Sequence, residues 1–318
     1  MKIEILERSS VGPDVDVSCF EQFGEVTAYQ NTAKEEVAER VADAEIIIAN
    51  KVQLNEETVS GASKLRMICE LATGYDNVDL EYCKKRKIAV TNARNYSTPA
   101  VVQHTFAMAL YILEHLSYYD GYVKSGQYAA QDRFSHFDMV YTELAGKTWG
   151  IVGMGNIGQG VAKVAKTFGC RVIYYSTTGK NQVEGYESVD FMTLLSESDV
   201  LSLHCPLNDT TRNLIDLAAM KQMKPGAVLV NVARGPVVNN TDLYQALKDH
   251  IIMGAGLDVL EHEPMLTKDA LAQFEDSNRL LITPHMAWAS VEARKRVVED
   301  VCQNIASFLK GEMRNRVI

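Results

Sequence analysis

The sequence lacks several features by which whole classes of protein are identified. Its six cysteines include no CxxC pair and no regular spacing. In a chain of 318 residues we therefore expect free thiols in a reducing compartment, not a disulfide framework. No apolar run approaches the length that crosses a bilayer, and acidic residues interrupt the apolar N-terminal stretch, which is not typical of a signal peptide. The sequence predicts a cytoplasmic protein with no membrane partner.

The chain also lacks an excess of positive charge. It has 32 Lys and Arg against 41 Asp and Glu, a formal net charge of −9. A nucleic-acid binder needs a basic face that neutralises phosphates, so we expect no nucleic-acid partner. With 47% hydrophobic and 23% charged residues, the composition is that of an ordinary globular protein, and the length suggests two domains.

Short apolar segments alternate with helix-favouring stretches along the chain, a pattern typical of parallel sheets with helices on both faces. We therefore predict an α/β fold with two series of strands. The first series is predicted at residues 3–6, 26–29, 46–49, 65–71 and 88–91. The second is predicted at residues 148–152, 172–175, 200–204, 227–232, 256–259 and 280–283.

Two helices with clear terminal signals bracket the second series. Thr98 is a suitable N-cap and Pro99 suits the first helical position, while Ser290 opens a second helix that ends near Gly311. This arrangement suits an inserted domain. We predict one domain at residues 99–287, and a discontinuous one formed by residues 1–98 and 288–318.

A glycine-rich motif, Gly153-Met154-Gly155-Asn156-Ile157-Gly158, lies between a predicted strand and a predicted helix. In this context the first glycine makes the turn, the second lets the backbone approach a pyrophosphate, and the third lets helix and strand pack closely. The helix N-terminus then binds the phosphates. A merely tight strand–helix turn is the alternative interpretation.

The acid that normally binds the adenosine ribose is missing after the next strand. Ser176 and Thr177 stand there, followed by Lys180. These groups could hold a 2′-phosphate, or the hydroxyls could bind a plain ribose beside a solvated lysine. We predict NAD as the cofactor, with NADP possible.

Polar residues follow three predicted strands of the second series, at the strand ends where ligands bind in open parallel sheets. Arg234 suits a carboxylate and the adjacent carbonyl, although an ordinary surface arginine is the alternative. Two acids, Glu261 and Glu263, and His285 could form an acid–base pair. The residues alone therefore indicate a nicotinamide-dependent oxidoreductase acting on a small anion with a carbonyl or hydroxyl group. No metal is expected.

Along nearly its whole length the chain resembles the D-2-hydroxyacid dehydrogenases, and among these the glycerate dehydrogenases, or hydroxypyruvate reductases. The resemblance rests on the glycine loop, Asn231-Val232-Ala233-Arg234-Gly235, the segment from Gly256 to Pro264, and Pro284-His285. It implies a flavodoxin-like substrate domain with an inserted Rossmann-like nucleotide domain, a small 2-oxo or 2-hydroxy acid as substrate, and a homodimer.

The resemblance also implies roles for individual residues. His285 is the expected general acid/base, Glu263 its carboxylate partner, and Arg234 the group that binds the substrate carboxylate. Substrate binding is further expected at Asn50, Thr73, Gly74 and Trp288. Cofactor binding is expected at the glycine loop (Gly153, Gly155, Asn156, Ile157, Gly158), at Ser176, Thr177 and Lys180, and at Gln103, Cys205, Pro206, Val232, Ala233 and Asp258. The thiol of Cys205 is interpreted as structural.

Several alternatives stay open at this point. The substrate could be phosphoglycerate, phenylpyruvate, a branched 2-oxo acid or glyoxylate, and the same fold could serve a non-catalytic NAD(H)-sensing interaction protein. The indole of Trp288 could select small substrates from the cleft between domains, or simply pack at the hinge. The chain ends soon after Gly311, so we expect no additional regulatory domain of the kind found in longer phosphoglycerate dehydrogenases.

Overall fold

A computed structural model of the chain describes residues 1–180 and 182–318. These residues form two compact units, one consisting of Met1–Ser97 with Trp288–Ile318 and the other of Thr98–Ala287. Among the described residues, no helix has both the length and the apolar character needed to span a membrane.

Twelve strands are described: β1 (Lys2–Ile5), β2 (Glu25–Ala28), β3 (Ile46–Ala49), β4 (Met67–Glu70), β5 (Ala89–Thr91), β6 (Thr148–Val152), β7 (Arg171–Tyr175), β8 (Glu187–Ser188), β9 (Val200–Leu203), β10 (Val228–Asn231), β11 (Gly254–Leu257) and β12 (Leu280–Ile282). The α-helices are α1 (Val37–Arg40), α2 (Glu56–Val59), α3 (Leu80–Arg86), α4 (Thr98–Leu113), α5 (Leu116–Lys124), α6 (Gln127–Ala130), α7 (Asn156–Thr167), α8 (Phe191–Glu197), α9 (Leu217–Met220), α10 (Asn240–Lys248) and α11 (Val291–Leu309). Short 3₁₀ helices lie at Arg8–Val11, Ser18–Phe23, Lys34–Glu36, Gly235–Val237 and Ala270–Gln273.

The unit that contains both ends of the described chain is built on a five-stranded sheet. Its strands lie in the order β2-β1-β3-β4-β5 and every pair is parallel. This is the flavodoxin-like order. Helix α11 is capped as predicted, because Oγ of Ser290 accepts a hydrogen bond from the Ala293 N–H (3.2 Å) and Gly311 has a left-handed φ of 80° just beyond its end.

The other unit is built on a seven-stranded sheet in the order β12-β11-β10-β9-β6-β7-β8, again with parallel pairs throughout. The order reverses between β6 and β9, which is the switch point at which such sheets bind ligands. The predicted α/β class with two parallel-sheet domains is therefore confirmed.

Helix α4 packs on this second sheet through its apolar face. Phe106 contacts the fully buried Trp149 with ring centroids 4.5 Å apart. A Cβ at Gly254 or Gly256 would lie within 3 Å of Ile112 or Met108, so these glycines let the helix lie directly against β11.

One strand was predicted out of place and one was missed. Residues 256–259 were expected to form a strand, but β11 runs from Gly254 to Leu257, because glycine here accommodates a close helix instead of marking a turn. Strand β8 was missed because it has only two residues, both exposed, and therefore no apolar signature. The helix expected to start at Pro99 includes Thr98.

Candidate active site

The glycine loop follows β6, and its three glycines differ in what an added Cβ would meet. Gly153 has a left-handed φ of 91°, and a Cβ there would lie 2.8 Å from the backbone nitrogen of Cys205. A Cβ at Gly158 would lie 2.2 Å from the carbonyl oxygen of Gly153. Gly155 is different, since a Cβ there would meet no atom within 4 Å. The protein itself therefore needs Gly153 and Gly158, whereas Gly155 keeps open a space outside the protein.

That space lies at the N-terminus of α7, where Gly155 is the N-cap in extended conformation and Asn156 and Ile157 form the first turn. Backbone N–H groups and the positive end of the helix dipole favour an anion there. The loop thus fits the pyrophosphate of a dinucleotide, with Gly155 as the point of close approach.

The segment after β7 forms a turn in which the N–H of Gly179 donates to the carbonyl of Ser176 (3.1 Å). Ser176 and Thr177 are half-buried and Lys180 is exposed. No carboxylate occurs in residues 176–180, so no negative charge on this turn opposes a 2′-phosphate.

Cys205 and Pro206 follow β9, against the turn at Gly153. Cys205 is buried, and burial raises the pKa of its thiol to about 11. The thiol is therefore protonated near neutral pH, which favours a structural role for it. Burial also lowers the pKa of the neighbouring His204 to about 3, so its ring is neutral; Nε2 lies 3.0 Å from Oγ of Ser202.

The loop after β10 is held by the buried Asn231. Its Oδ1 accepts from the N–H of Ala233 (3.0 Å), and its Nδ2 donates to the carbonyl of Arg234 (3.0 Å). A Cβ at Gly235 would overlap the carbonyl of Leu260, so this loop lies against the loop that follows β11. Arg234 and Val232 are half-buried, and one guanidinium nitrogen of Arg234 donates to the carbonyl of Ala233 (2.8 Å).

Asp258, directly after β11, organises the segment that carries His285. The carboxylate is buried and accepts hydrogen bonds from Oγ1 of Thr283 (2.5 Å) and from the N–H groups of Met286 and Ala287 (2.8 Å each). Its backbone carbonyl accepts from the N–H of His285 (2.8 Å). These contacts hold His285 at a φ of 54°, a left-handed conformation that needs such support outside glycine.

His285 and Glu263 form a close pair. Nδ1 of His285 lies 2.6 Å from Oε2 of Glu263, and the two side chains are 27% and 34% exposed. Oε1 of Glu263 accepts from the N–H of Leu260 (3.0 Å), which fixes the carboxylate against the ring. With Nδ1 occupied by the carboxylate, Nε2 is the nitrogen that can exchange a proton with a substrate.

The second acid near the histidine has another function in the fold. Oε1 of Glu261 accepts from the N–H of Asn240 (2.8 Å) in the first turn of α10. Glu261 is therefore a helix cap, and of the two acids only Glu263 contacts the imidazole.

His104 belongs to the same network, although nothing in the sequence had indicated a role for it. Its Nε2 lies 3.0 Å from Oγ1 of Thr283, whose hydroxyl hydrogen bonds to Asp258. Because that hydroxyl donates to the carboxylate, it must accept from the ring nitrogen. The only sequence signal was the helical spacing that places His104 on α4. Its neighbour Gln103, expected at the cofactor, lies exposed on the same helix.

The remaining expected residues lie in the unit that contains Met1–Ser97. Asn50 is buried after β3, and its N–H donates to Oε2 of Glu7 (2.8 Å). Thr73 is exposed, and its Oγ1 donates to the carbonyl of Ala93 (2.9 Å). Within the described ranges, no group accepts a hydrogen bond from the N–H of Thr73 or Gly74. Trp288 meets Tyr96 edge to face, with ring centroids 6.2 Å apart.

One sheet edge thus carries a loop that fits a dinucleotide and a histidine paired with a carboxylate. All strands of the seven-stranded sheet are parallel, so the segments after β6, β7, β10, β11 and β12 leave it on the same side. In residues 1–180 and 182–318 no group of three metal-ligating side chains is found. The fold and these groups together define a nicotinamide-dependent dehydrogenase.

Comparison with known proteins identifies the family. Residues 106–287 match the model of the D-isomer specific 2-hydroxyacid dehydrogenase, NAD binding domain. The chain is 34% identical to a hydroxypyruvate reductase of Blautia hydrogenotrophica, covering 100% of this chain and 99% of the relative. It is 38% identical to a glyoxylate reductase of Thermococcus litoralis, covering 95% and 92%. A solved acyclic imino acid reductase in complex with NADPH and D-arginine has a TM-score of 0.89, with 29% identity and full coverage of both chains.

The chain therefore belongs to the D-isomer specific 2-hydroxyacid dehydrogenase family. It is an oxidoreductase of the NAD-dependent class, as the sequence predicted.

The two glycines of the loop provide a matched pair of variants. Gly158→Ala should lower the free energy of unfolding by about 1–3 kcal/mol, because the methyl group overlaps the carbonyl of Gly153. Gly155→Ala should leave stability within about 0.5 kcal/mol and weaken NADH binding roughly tenfold or more, because it fills the space for the pyrophosphate. Urea denaturation and NADH fluorescence titration measure the two effects. Unchanged NADH affinity in Gly155→Ala would place the pyrophosphate elsewhere.

Proposed function

We propose that this protein reduces hydroxypyruvate to D-glycerate, with His285 as the general acid. The observation that carries the proposal is the 2.6 Å contact between Nδ1 of His285 and Oε2 of Glu263, on the sheet edge that also carries the glycine loop. The relatives named hydroxypyruvate reductase and glyoxylate reductase support a substrate of two or three carbons. Glyoxylate is the second candidate, and the larger 2-oxo acids are weaker ones.

The chemistry assigned to the protein is a proton transfer. Nε2 of protonated His285 donates its proton to the carbonyl oxygen of the substrate, while Glu263 stabilises the imidazolium through Nδ1. The nicotinamide, when bound in reduced form, supplies the hydride that the carbonyl carbon accepts. The C=O group becomes a C–OH group and His285 is left neutral. Oxidation of the hydroxy acid runs through the same positions in reverse.

Substrate binding is assigned to three groups of residues. The guanidinium of Arg234 binds the carboxylate and polarises the adjacent carbonyl. The N–H groups of Thr73 and Gly74, which have no acceptor in the described parts of the chain, bind the carboxylate as well. Asn50 contributes a polar side chain from the end of β3.

For the cofactor we propose NAD with tolerance of NADP. Ser176 and Thr177 would meet the adenosine ribose, and Lys180 would lie close enough to attract a 2′-phosphate. The solved relative with bound NADPH supports the second option. Asp258 supports the site by holding the His285 segment.

We further propose that the protein is a cytoplasmic homodimer. Residues 116–141 expose several large apolar side chains, more than a monomer usually leaves in water. They are Leu116, Val123, Tyr128, Phe134, Phe137, Val140 and Tyr141, with Phe134 93% exposed. Light scattering distinguishes the 35.3 kDa chain from its dimer, and a monomer at micromolar concentration would reject this part of the proposal.

The function is tested by following the loss of absorbance of the reduced nicotinamide with purified protein. Hydroxypyruvate, glyoxylate, pyruvate and phenylpyruvate are each assayed with NADH and with NADPH. The proposal requires the highest kcat/KM for hydroxypyruvate with NADH. A preference for glyoxylate would select the second candidate, and no turnover of any 2-oxo acid would reject both.

The acid–base pair predicts the effect of neutral substitutions. His285→Gln should lower kcat by about 10²–10⁴-fold with NADH affinity unchanged, because proton transfer typically contributes that much. Glu263→Gln keeps a polar group beside Nδ1 but removes the negative charge that stabilises the imidazolium, so it should also lower kcat with NADH affinity unchanged.

The matched control is Glu261→Gln, because Glu261 caps α10 and does not touch the ring. Its kcat should be that of the unsubstituted enzyme. An unchanged kcat in Glu263→Gln would mean that the carboxylate of Glu263 does not assist His285.

Ser176→Asp should lower kcat/KM for NADPH selectively. A carboxylate at this position repels a 2′-phosphate and can bind a ribose 2′-hydroxyl. Ser188→Asp, on the exposed strand β8, introduces the same charge elsewhere. It should change kcat/KM for neither NADH nor NADPH. Equal losses with both cofactors in Ser176→Asp would remove Ser176 from the ribose site.

Trp288→Ala tests whether the indole limits substrate size. If Trp288 lines the substrate site, kcat/KM for phenylpyruvate should rise relative to hydroxypyruvate, because the side chain that excludes a ring is gone. Its contact with Tyr96 supports a packing role instead, in which case both values should fall together. Trp288→Phe keeps a ring against Tyr96 and serves as the control for packing.

A further inference from the structure

A fully buried carboxyl group lies beneath the loop to which substrate binding is assigned. Glu70 ends β4, in the interior of the five-stranded sheet, and is 0% exposed. Oε1 accepts a hydrogen bond from Nδ2 of Asn77 (3.1 Å). Oε2 is buried and has no partner among the described residues. An ionised carboxylate in such surroundings is costly, whereas the neutral acid is tolerated.

Asn77 connects Glu70 to the loop formed by residues 71–78. Besides Glu70, its Nδ2 donates to the carbonyl of Val52 (2.9 Å), and its own carbonyl accepts from the N–H of Leu54 (2.8 Å). Both amide hydrogens are thus used, and the asparagine is buried. The far end of the loop is therefore fixed from below by Glu70 and from the side by residues 52–54.

The near end of the same loop is fixed independently. Nδ2 of Asn92 donates to the carbonyl of Thr73 (2.7 Å), and the Thr73 hydroxyl donates to the carbonyl of Ala93 (2.9 Å). Between these two anchors, the N–H groups of Thr73 and Gly74 have no acceptor among the described residues. These two N–H groups therefore fit the carboxylate that the proposed function assigns to them.

The charges that face Glu70 also oppose its ionisation. Glu7 lies after β1, with its carboxylate held by the N–H groups of Asn50, Lys51 and Val52, and Asp76 lies on the loop itself. Lys51, after β3, is the one opposing positive charge among the groups that act on it. Burial above all, with smaller contributions from the two acids, raises the pKa of Glu70 to about 8.

We propose that Glu70 is a positioning residue that must stay protonated for the loop at Thr73 and Gly74 to bind the carboxylate of the substrate. This inference rests on the proposed function of that loop. Ionisation would place a negative charge beside Asn77, which fixes the far end of the loop, and would draw water to Oε2. Substrate affinity is therefore lost at alkaline pH through a group that takes no part in proton transfer to the substrate.

The test separates Glu70 from His285 by removing the histidine first. Oxamate, an anion shaped like a small 2-oxo acid that is not reduced, is titrated into the NADH complexes of His285→Gln and of the double variant His285→Gln/Glu70→Gln. Quenching of nicotinamide fluorescence gives Kd. In the single variant, Kd should rise about fivefold between pH 8 and pH 9, and in the double variant it should stay constant. The control is the double variant His285→Gln/Glu81→Gln, in which the substituted glutamate is exposed on α3. Its oxamate Kd should still rise about fivefold between pH 8 and pH 9.

A second measurement stands apart from substrate binding. The folded protein keeps the Glu70 proton up to pH about 8, while the unfolded chain loses it near the ordinary value of 4.5. The folded state thus holds more protons between these values, so this group makes the free energy of unfolding fall as pH rises from 4.5 to about 8. In Glu70→Gln, the free energy of unfolding measured by urea denaturation should fall less over this pH range, because the contribution of Glu70 is missing.

Each outcome has a defined meaning. The same rise of the oxamate Kd in the double variant would overturn the proposal, as would a pH dependence of stability that Glu70→Gln leaves unchanged. If oxamate does not bind the NADH complex of the unsubstituted enzyme at pH 7 while the stability result is as expected, the assignment of the loop to substrate binding is overturned and Glu70 remains a buried neutral acid.

Discussion

Parallel pairing of every strand in the seven-stranded sheet is the constraint on which the site depends. Strands that run in one direction deliver all their carboxyl ends to one edge, so residues far apart in sequence meet there. The turn at Gly153, the loop carrying Arg234 and the segment carrying His285 are separated by as many as 132 positions and share that edge. If β10 or β12 were antiparallel, Arg234 or His285 would lie on the opposite side of the sheet.

Within that arrangement Asp258 holds the segment that carries His285. Its buried carboxylate accepts three hydrogen bonds and its carbonyl a fourth, and all of them come from residues 283–287. These bonds fix the left-handed backbone of His285 and so place its ring against Glu263. The imidazole of His285 is therefore positioned by backbone contacts, which a short polar segment could not form by itself.

Identical side chains acquire different functions from their surroundings. Glu261 and Glu263 are two positions apart, yet one caps a helix and the other contacts an imidazole. Glu7 lies just after β1 and Glu70 ends β4, and both strands belong to the five-stranded sheet. The carboxylate of Glu7 is surrounded by three N–H donors, whereas Glu70 has a single donor and an unpaired oxygen. Burial with a single donor makes the neutral acid the stable form of Glu70.

The sequence by itself determined the features that have a local physical cause. Apolar runs predicted β3 and β6 at their observed limits, because a strand buried on both faces must be continuously apolar. The caps of α11 and the glycine loop were equally readable, since each depends on residues within a few positions. The tertiary structure alone decided the choice between Glu261 and Glu263, the role of His104, the burial of Glu70 and the contact of Trp288 with Tyr96. Each of these depends on groups tens or hundreds of positions away, and hydrogen-bond donors brought by distant strands leave no periodic trace in the local sequence.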